Sequence, residues 1–310
     1  MQELFDIVFT PGFGYSILRV TTPILFAALA ALISDRAGVI NIGLEGIMLT
    51  SALTGVVAGT SFSSPWIGLI VAVVSGALIG MIMAYFSLNL KTDIILTGIA
   101  INLMAGGGTV FALSLISGNK GSFAATGAAL PKINLPIIEN IPVIGEILSG
   151  HNILTYVAII SVVLIYYFLY RTALGLRIRS VGENPDAASS VGVNVNKVKY
   201  IALIISGALA GFGGAYMSMG YMEGFTKNMT AGRGFIAMAA EAMGGASPIG
   251  TFFTSLFFGA ADALSNSISS LNIPPEFVQM TPYVATIIGL VFYSHNKKKR
   301  ITRAKKLKKV

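Results

Sequence analysis

Read for its apolar and polar positions, the chain is a series of long apolar runs parted by short polar connections. Nearly uniform hydrophobicity covers residues 16–34, 39–60, 66–88, 93–117, 151–170, 200–222, 233–246, 249–271 and 277–295. Most of these runs approach the roughly 20 residues a helix needs to cross about 30 Å of hydrocarbon. The pattern predicts an all-α polytopic membrane bundle of nine segments. The run 233–246 is too short to span alone, and Gly244-Gly245 and Ser247-Pro248 separate it from the next run. A half-helix near the outer face is expected there, crossing or re-entering the membrane. Residues 1–296 then make one transmembrane domain, and 297–310 a basic tail.

Several runs carry small residues four apart: Gly55 and Gly59, Gly76 and Gly80, Gly207 and Gly211. That spacing lets helix backbones approach, which replaces the hydrophobic drive that lipid does not provide. The three consecutive glycines of Ala105–Gly108 are different in kind. They predict a break or bend, tolerated within a membrane only where the chain lines a cavity or is buried in protein. The long connection 118–150 holds Pro131, Pro136 and Pro142 among apolar residues. A loop of that length and character reads as a lid on the outer mouth.

Composition agrees with a membrane class. Of 310 residues, 54% are hydrophobic and 11% charged, against about 25% charged in a soluble domain. The net charge of +8 is unevenly placed, with nine of the 21 basic residues between Lys297 and Lys309. Five more, Arg171, Arg177, Arg179, Lys197 and Lys199, lie in the polar stretch 171–199. With both stretches inside, together with Arg36 and Lys91, 16 of the 21 basic residues are cytoplasmic. Basic residues retained on the inner side orient the chain as a multi-pass protein of the cell membrane, its C-terminus cytoplasmic and its N-terminus external. The tail then meets lipid headgroups, so no nucleic-acid partner is expected. The first residues, MQELFDIVFTPGFGY, lack a basic region and a cleavage site, so no cleaved signal peptide is predicted. With no cysteine, disulfides, thiolate ligands and cysteine nucleophiles are excluded.

The 171–199 stretch is the longest polar interruption between spanning runs. Asn184-Pro185 is a helix start, because Asn caps and Pro lacks the N–H that the first turn leaves unused. Gly192 is a stop. A short helix from about Pro185 to Val191 is expected, suited to the grip of a soluble partner. The competing reading is a plain basic loop that only sets topology.

Polar residues inside apolar runs are costly in lipid and normally face a cavity or a partner. Asn41, Glu45, Asn102, Glu241 and Asp262 are the candidates for a polar substrate pathway. Asn41 and Glu45, four apart, are expected to share a helix face. Amide and carboxylate acceptors suit a neutral, hydroxyl-rich solute, and each residue could equally be a satisfied interhelical hydrogen bond. The segment 226–235 and its Arg233 are expected to give the outer mouth a positive potential. No G-x-x-x-x-G-K-[ST] loop occurs, and the two histidines, His151 and His295, form no metal or nucleophile pattern. No cofactor, metal site or catalytic residue is expected on this chain.

The blocks LGLRIRSVGENPDAASSVGVNVNKVKYIALIISGALAGFGGAYMSMG, SDRAGVINIGLEGIMLTSA and TAGRGFIAMAAEAMGGASPIGTFFTSLFFGAADAL resemble ABC-importer permeases of the branched-chain amino acid and simple-sugar class. They are closest in kind to its nucleoside branch, which works with a lipoprotein binding protein. The resemblance runs from about Thr21 to Ser294. It implies a type II-like permease without ATPase activity, with ATP held on a separate cytoplasmic subunit. Gly182, Glu183, Asn184, Pro185, Ala187, Ala188 and Gly192 would then dock that ATPase. A second permease chain, usually a different one, would complete the pathway, and an external lipoprotein would deliver a nucleoside. A simple-sugar permease is the alternative; an ion-coupled transporter or a channel are the competitors from other classes.

Overall fold

The computed structural model describes residues 10–118, 121–136 and 141–268. The architecture is a helical bundle around α1 (Pro11–Arg36), which is buried continuously from Val20 to Ser34. A helix that is apolar all round belongs inside a bundle. Pro23 lies within α1 and cannot donate to the Arg19 carbonyl one turn back. The Tyr216 hydroxyl donates to that carbonyl instead, at 2.9 Å.

α2 (Leu44–Ser61), α3 (Pro65–Ala84, extended by a π turn at Tyr85–Asn89) and α4 (Ile94–Ser117) come next. The long connection 118–150 holds α5 (Ile144–Leu148), and after it lie α6 (Ile153–Arg171), α7 (Ala173–Glu183) and α8 (Pro185–Ser190). The last described helices are α9 (Val195–Tyr216, with a π turn at Met217–Tyr221), α10 (Arg233–Met243) and α11 (Pro248–Ile268). Among the described residues, α1, α3, α4, α6 and α9 are long and apolar enough to cross a membrane. The chain is therefore multi-pass. The run expected at 39–60 becomes helical only at Leu44, and 277–295 lies outside the described residues, as does the tail at 297–310.

Two ends are distinguished by what covers them. At one, β1 (Ser122–Ala124) pairs antiparallel with β4 (Gly224–Thr226), and β2 (Lys132–Ile133) with β3 (His151–Asn152). These short pairs are the departure from an all-α fold. The loop packs down here: Ala128 and Leu130 are buried, and the Leu130 amide donates to the Met219 carbonyl at 2.8 Å. The opposite end, reached along α6, carries α7 and α8. We call these the cap end and the loop end.

The four-residue glycine spacings are spent on contact. A Cβ on Gly76 would lie 2.3 Å from the Gly207 carbonyl oxygen, and one on Gly80 2.4 Å from that of Leu203. Gly55 and Gly59 press on the side-chain methyls of Ala72 and Ala128. The expected break at Ala105–Gly108 is absent, since α4 runs unbroken through it. Each glycine costs about 1 kcal/mol against alanine. In lipid, however, an opened turn has no water to bond to, so the helix keeps its ladder.

Candidate functional site

The polar residues converge where two helices begin inside the bundle. Before α2, the chain from Gly38 to Gly43 is not helical. Its backbone is satisfied from a distance: the Asn102 amide donates to the Ile42 carbonyl at 2.9 Å and accepts from the Gly46 amide at 2.8 Å. Gly98 clears room for this coil, since a Cβ there would lie 2.9 Å from the Gly43 amide. Asn41 is 1% exposed and donates to the Ser206 hydroxyl at 2.9 Å. Its Oδ1 is buried without a hydrogen-bond partner.

α10 starts against α2. Gly232, with φ of +81°, is the turn into α10, a conformation glycine takes without cost. The amides of Gly232 and Gly234 donate to the two Glu45 carboxylate oxygens at 2.8 and 2.7 Å. A Cβ on Gly234 would lie 2.6 Å from the Glu45 amide, so the two helix starts touch. One carboxylate thus answers two positive helix ends. Beside it, Arg233 pairs with Asp262 on α11 at 2.9 Å. At 1.5 Å per residue the junction is roughly 27 Å along α2 from the cap end and roughly 16 Å along α10 from the loop end.

At the loop end, each of the three helices that start there has its own cap. Thr172 accepts from Gly175 for α7, Asn184 from Ala187 for α8, and Asn194 from Lys197 for α9. Gly192, at φ +86°, closes the turn after α8. Nearby, the Arg36 guanidinium donates through Nε, at 2.7 Å, and through Nη2 to the Ala246 carbonyl.

Residues 15–293 match the family described as branched-chain amino acid transport system / permease component. The chain belongs to this permease family. Among curated proteins, it is 38% identical over 279 residues to the guanosine ABC transporter permease protein NupQ of Bacillus subtilis (strain 168), covering 86% of this chain and 87% of that one. It is 37% identical over 289 residues to the nucleoside ABC transporter permease protein NupC of Lactococcus lactis subsp. cremoris (strain MG1363), covering 90% of each. The putative glucose ABC transporter permease protein TsgC13 of Haloferax volcanii is 33% identical over 308 residues, covering 92% of each. Among solved structures, a chain of PsaBC from Streptococcus pneumoniae in complex with Fab shares the fold. There the TM-score is 0.53, with 16% identity and 93% and 94% of the two chains covered.

Against this permease geometry, several expectations need correction. Asn41 precedes α2, so it does not share a helix face with Glu45. The half-helix, expected at the end opposite 171–199, instead starts inside the bundle and finishes at the loop end, where the Gly244–Ala246 turn meets Arg36. Arg233 offers no free positive potential, because Asp262 pairs with it and Glu45 receives the helix start. Asn41, Glu45 and Asn102 gather near one junction, and Asp262 joins it through Arg233. Glu241 stands apart, toward the loop end in the field of Asp35 and Arg36, 7% exposed and with Oε1 unbonded.

The residues expected to dock a partner divide. Glu183, Asn184, Pro185, Ala187 and Gly192 are exposed. Ala188 is buried, and Gly182 packs on the Arg36 backbone. Residue-by-residue reading used Arg36 only for orientation and missed its hold on Ala246, along with Ser206 and the capping amides of Gly232 and Gly234. The signal for the last pair was present: two glycines, G-R-G, at the start of a short helix.

Proposed function

We propose that this permease is the membrane subunit of an ATP-binding-cassette importer for nucleosides. The observation that carries the reading is its similarity, across nearly its whole length, to permeases named for guanosine and nucleoside transport. In this reading α8 is the element that a cytoplasmic ATPase grips, through Glu183, Asn184, Pro185 and Ala187 on its open face. ATP is bound and hydrolysed on that partner. The loop end is cytoplasmic and the cap end external, where a lipoprotein delivers the solute, and a second permease completes the path.

Asn41, Glu45, Asn102, Glu241 and Asp262 border the proposed pathway in different ways. Asn102, Glu45 and Asp262 hold the walls, because their polar atoms bond within the chain. Asn41 and Glu241 each keep a buried oxygen without a partner, and buried polar atoms are rarely left so. These two are the acceptors available to a hydroxyl-rich solute. The 33% identity to a putative glucose permease makes a simple sugar the second reading.

The test is gentle purification of the tagged chain from its own membranes, then solute binding to the co-purified lipoprotein. An ATPase, a second permease and a lipoprotein that binds nucleoside are expected. A lipoprotein that binds glucose instead moves the assignment to sugars. A chain that comes out alone and transports without ATP refutes the importer.

A further inference from the structure

α7 and α8 form the unit that a partner would move, and α7 ends directly on α1. A Cβ on Gly182 would lie 2.2 Å from the Arg36 carbonyl oxygen and 3.0 Å from the Gly38 amide. Backbone rests on backbone there, with no flexible side chain to absorb a displacement. From the same residue, the Arg36 side chain reaches the turn between α10 and α11 and holds the Ala246 carbonyl through two N–H groups. Ala246 sits at φ +51° after Gly245 at φ +66°, a turn of left-handed residues. That turn closes α10, whose other end is held by Glu45 at the junction with α2.

We infer that Arg36 is the positioning residue that carries movement of the α7–α8 unit into α10, and so to the α2–α10 junction inside the bundle. The route is a series of direct contacts: Gly182 on the Arg36 backbone, Arg36 on Ala246, α10 as a rod, and Gly232 and Gly234 on Glu45. A switch needs two arrangements, and a second acceptor lies at hand. Glu241, on the last turns of α10, has a buried Oε1 without a partner, and its carbonyl accepts from the Ala246 amide at 3.4 Å, beside the carbonyl that Arg36 holds. A guanidinium has five donors in a fixed fork, so Arg36 can exchange the Ala246 carbonyl for the Glu241 carboxylate as the turn shifts.

This rests on the importer reading, and its test separates the two. In the assembled transporter in lipid vesicles, nucleoside uptake and ATP hydrolysis are measured together. Arg36→Gln is expected to assemble and hydrolyse ATP close to wild type, while uptake per ATP falls at least about tenfold. Arg36→Lys recovers part of the ratio, because one charged donor still reaches Ala246. An unchanged ratio, or uptake and hydrolysis falling in parallel, overturns the inference. If Arg36→Gln fails to assemble, Glu241→Gln decides: a lowered ratio with the nucleoside KM unchanged supports the exchange, and a wild-type ratio or a raised KM overturns it. Failure of the importer reading looks different, since the wild-type chain would then show no ATP-dependent uptake.

Discussion

α9 and α4 are both rich in glycine, and the permease uses that glycine in opposite ways. On α9, a Cβ on Gly207 would lie 2.2 Å from the Gly76 carbonyl oxygen, and one on Gly214 2.2 Å from that of Met48. On α4, a Cβ on Gly106, Gly107 or Gly108 meets nothing within 4 Å. Leu103 and Phe111, on the same helix, are 74% and 66% exposed. Spacing explains the difference. Glycines four apart build one smooth stripe that a neighbouring backbone can enter. Three in a row point about 100° apart around the helix and make no stripe. A glycine count alone therefore says little about packing; its periodicity says much.

The strongest test of that contrast is to fill both surfaces. Gly207→Leu has only fixed backbone to push against and should cost more than about 4 kcal/mol, enough to lose the folded chain. Gly107→Leu should leave a monodisperse detergent-extracted chain with an unchanged thermal midpoint. Size-exclusion profiles of the two variants decide it, and matching profiles would break the comparison. Any uptake lost in Gly107→Leu then reports a neighbour outside this chain.

The same division between packed and open positions recurs on α8, where Ala187 is exposed and Ala188 is 4% exposed. Ala187→Asp should leave the chain intact in the membrane and lower ATP-driven uptake by about tenfold or more. Ala188→Asp buries an unpaired carboxylate and should lower the amount of folded chain as well. Equal loss of folded chain in both would mean that α8 is not an exposed docking helix.

A smaller effect is expected at the junction. Glu45→Gln keeps the size but replaces one accepting oxygen by an NH₂ that faces an amide donor. The cost is about 2 kcal/mol of stability, read as a lowered thermal midpoint with the fold retained.

The smallest effect lies at the cap end. His151 stacks on Tyr15 with ring centroids 4.0 Å apart and bonds through Nε2 to the Ile147 carbonyl at 2.8 Å. Burial is the main cause that lowers its pKa from the ordinary 6.5. The folded state therefore favours the neutral ring. The stability it contributes is full above the ordinary value and is lost as pH falls through the lowered one. Protection of residues 141–152 against hydrogen exchange, taken relative to the intrinsic amide rate at each pH, should fall as pH drops below the ordinary 6.5, and His151→Phe should remove that dependence.

Much of the local structure was legible because its causes are local. Asn184-Pro185 and Gly192 bracket α8 as expected, since caps and left-handed stops act within one turn. The Gly76/Gly80 and Gly207/Gly211 spacings named a close helix contact, although which pairs would meet was not written in them. The break expected at Ala105–Gly108 failed because a flexible residue opens a helix only where something else can bond its backbone.

By itself, then, the sequence determined a multi-pass helical permease, the positions of its long helices and the caps of its short ones. Only the tertiary structure decided that the stretch before Leu44 is coil, that Glu45 caps α10 and that the half-helix sits at the loop end. The reason is distance along the chain. Asn102 lies 56 residues from Gly46, Glu45 187 from Gly232, and Arg36 210 from Ala246. Hydropathy reads a buried coil and a buried helix as the same apolar run. What separates them is a remote side chain that supplies the hydrogen bonds the coil cannot make for itself.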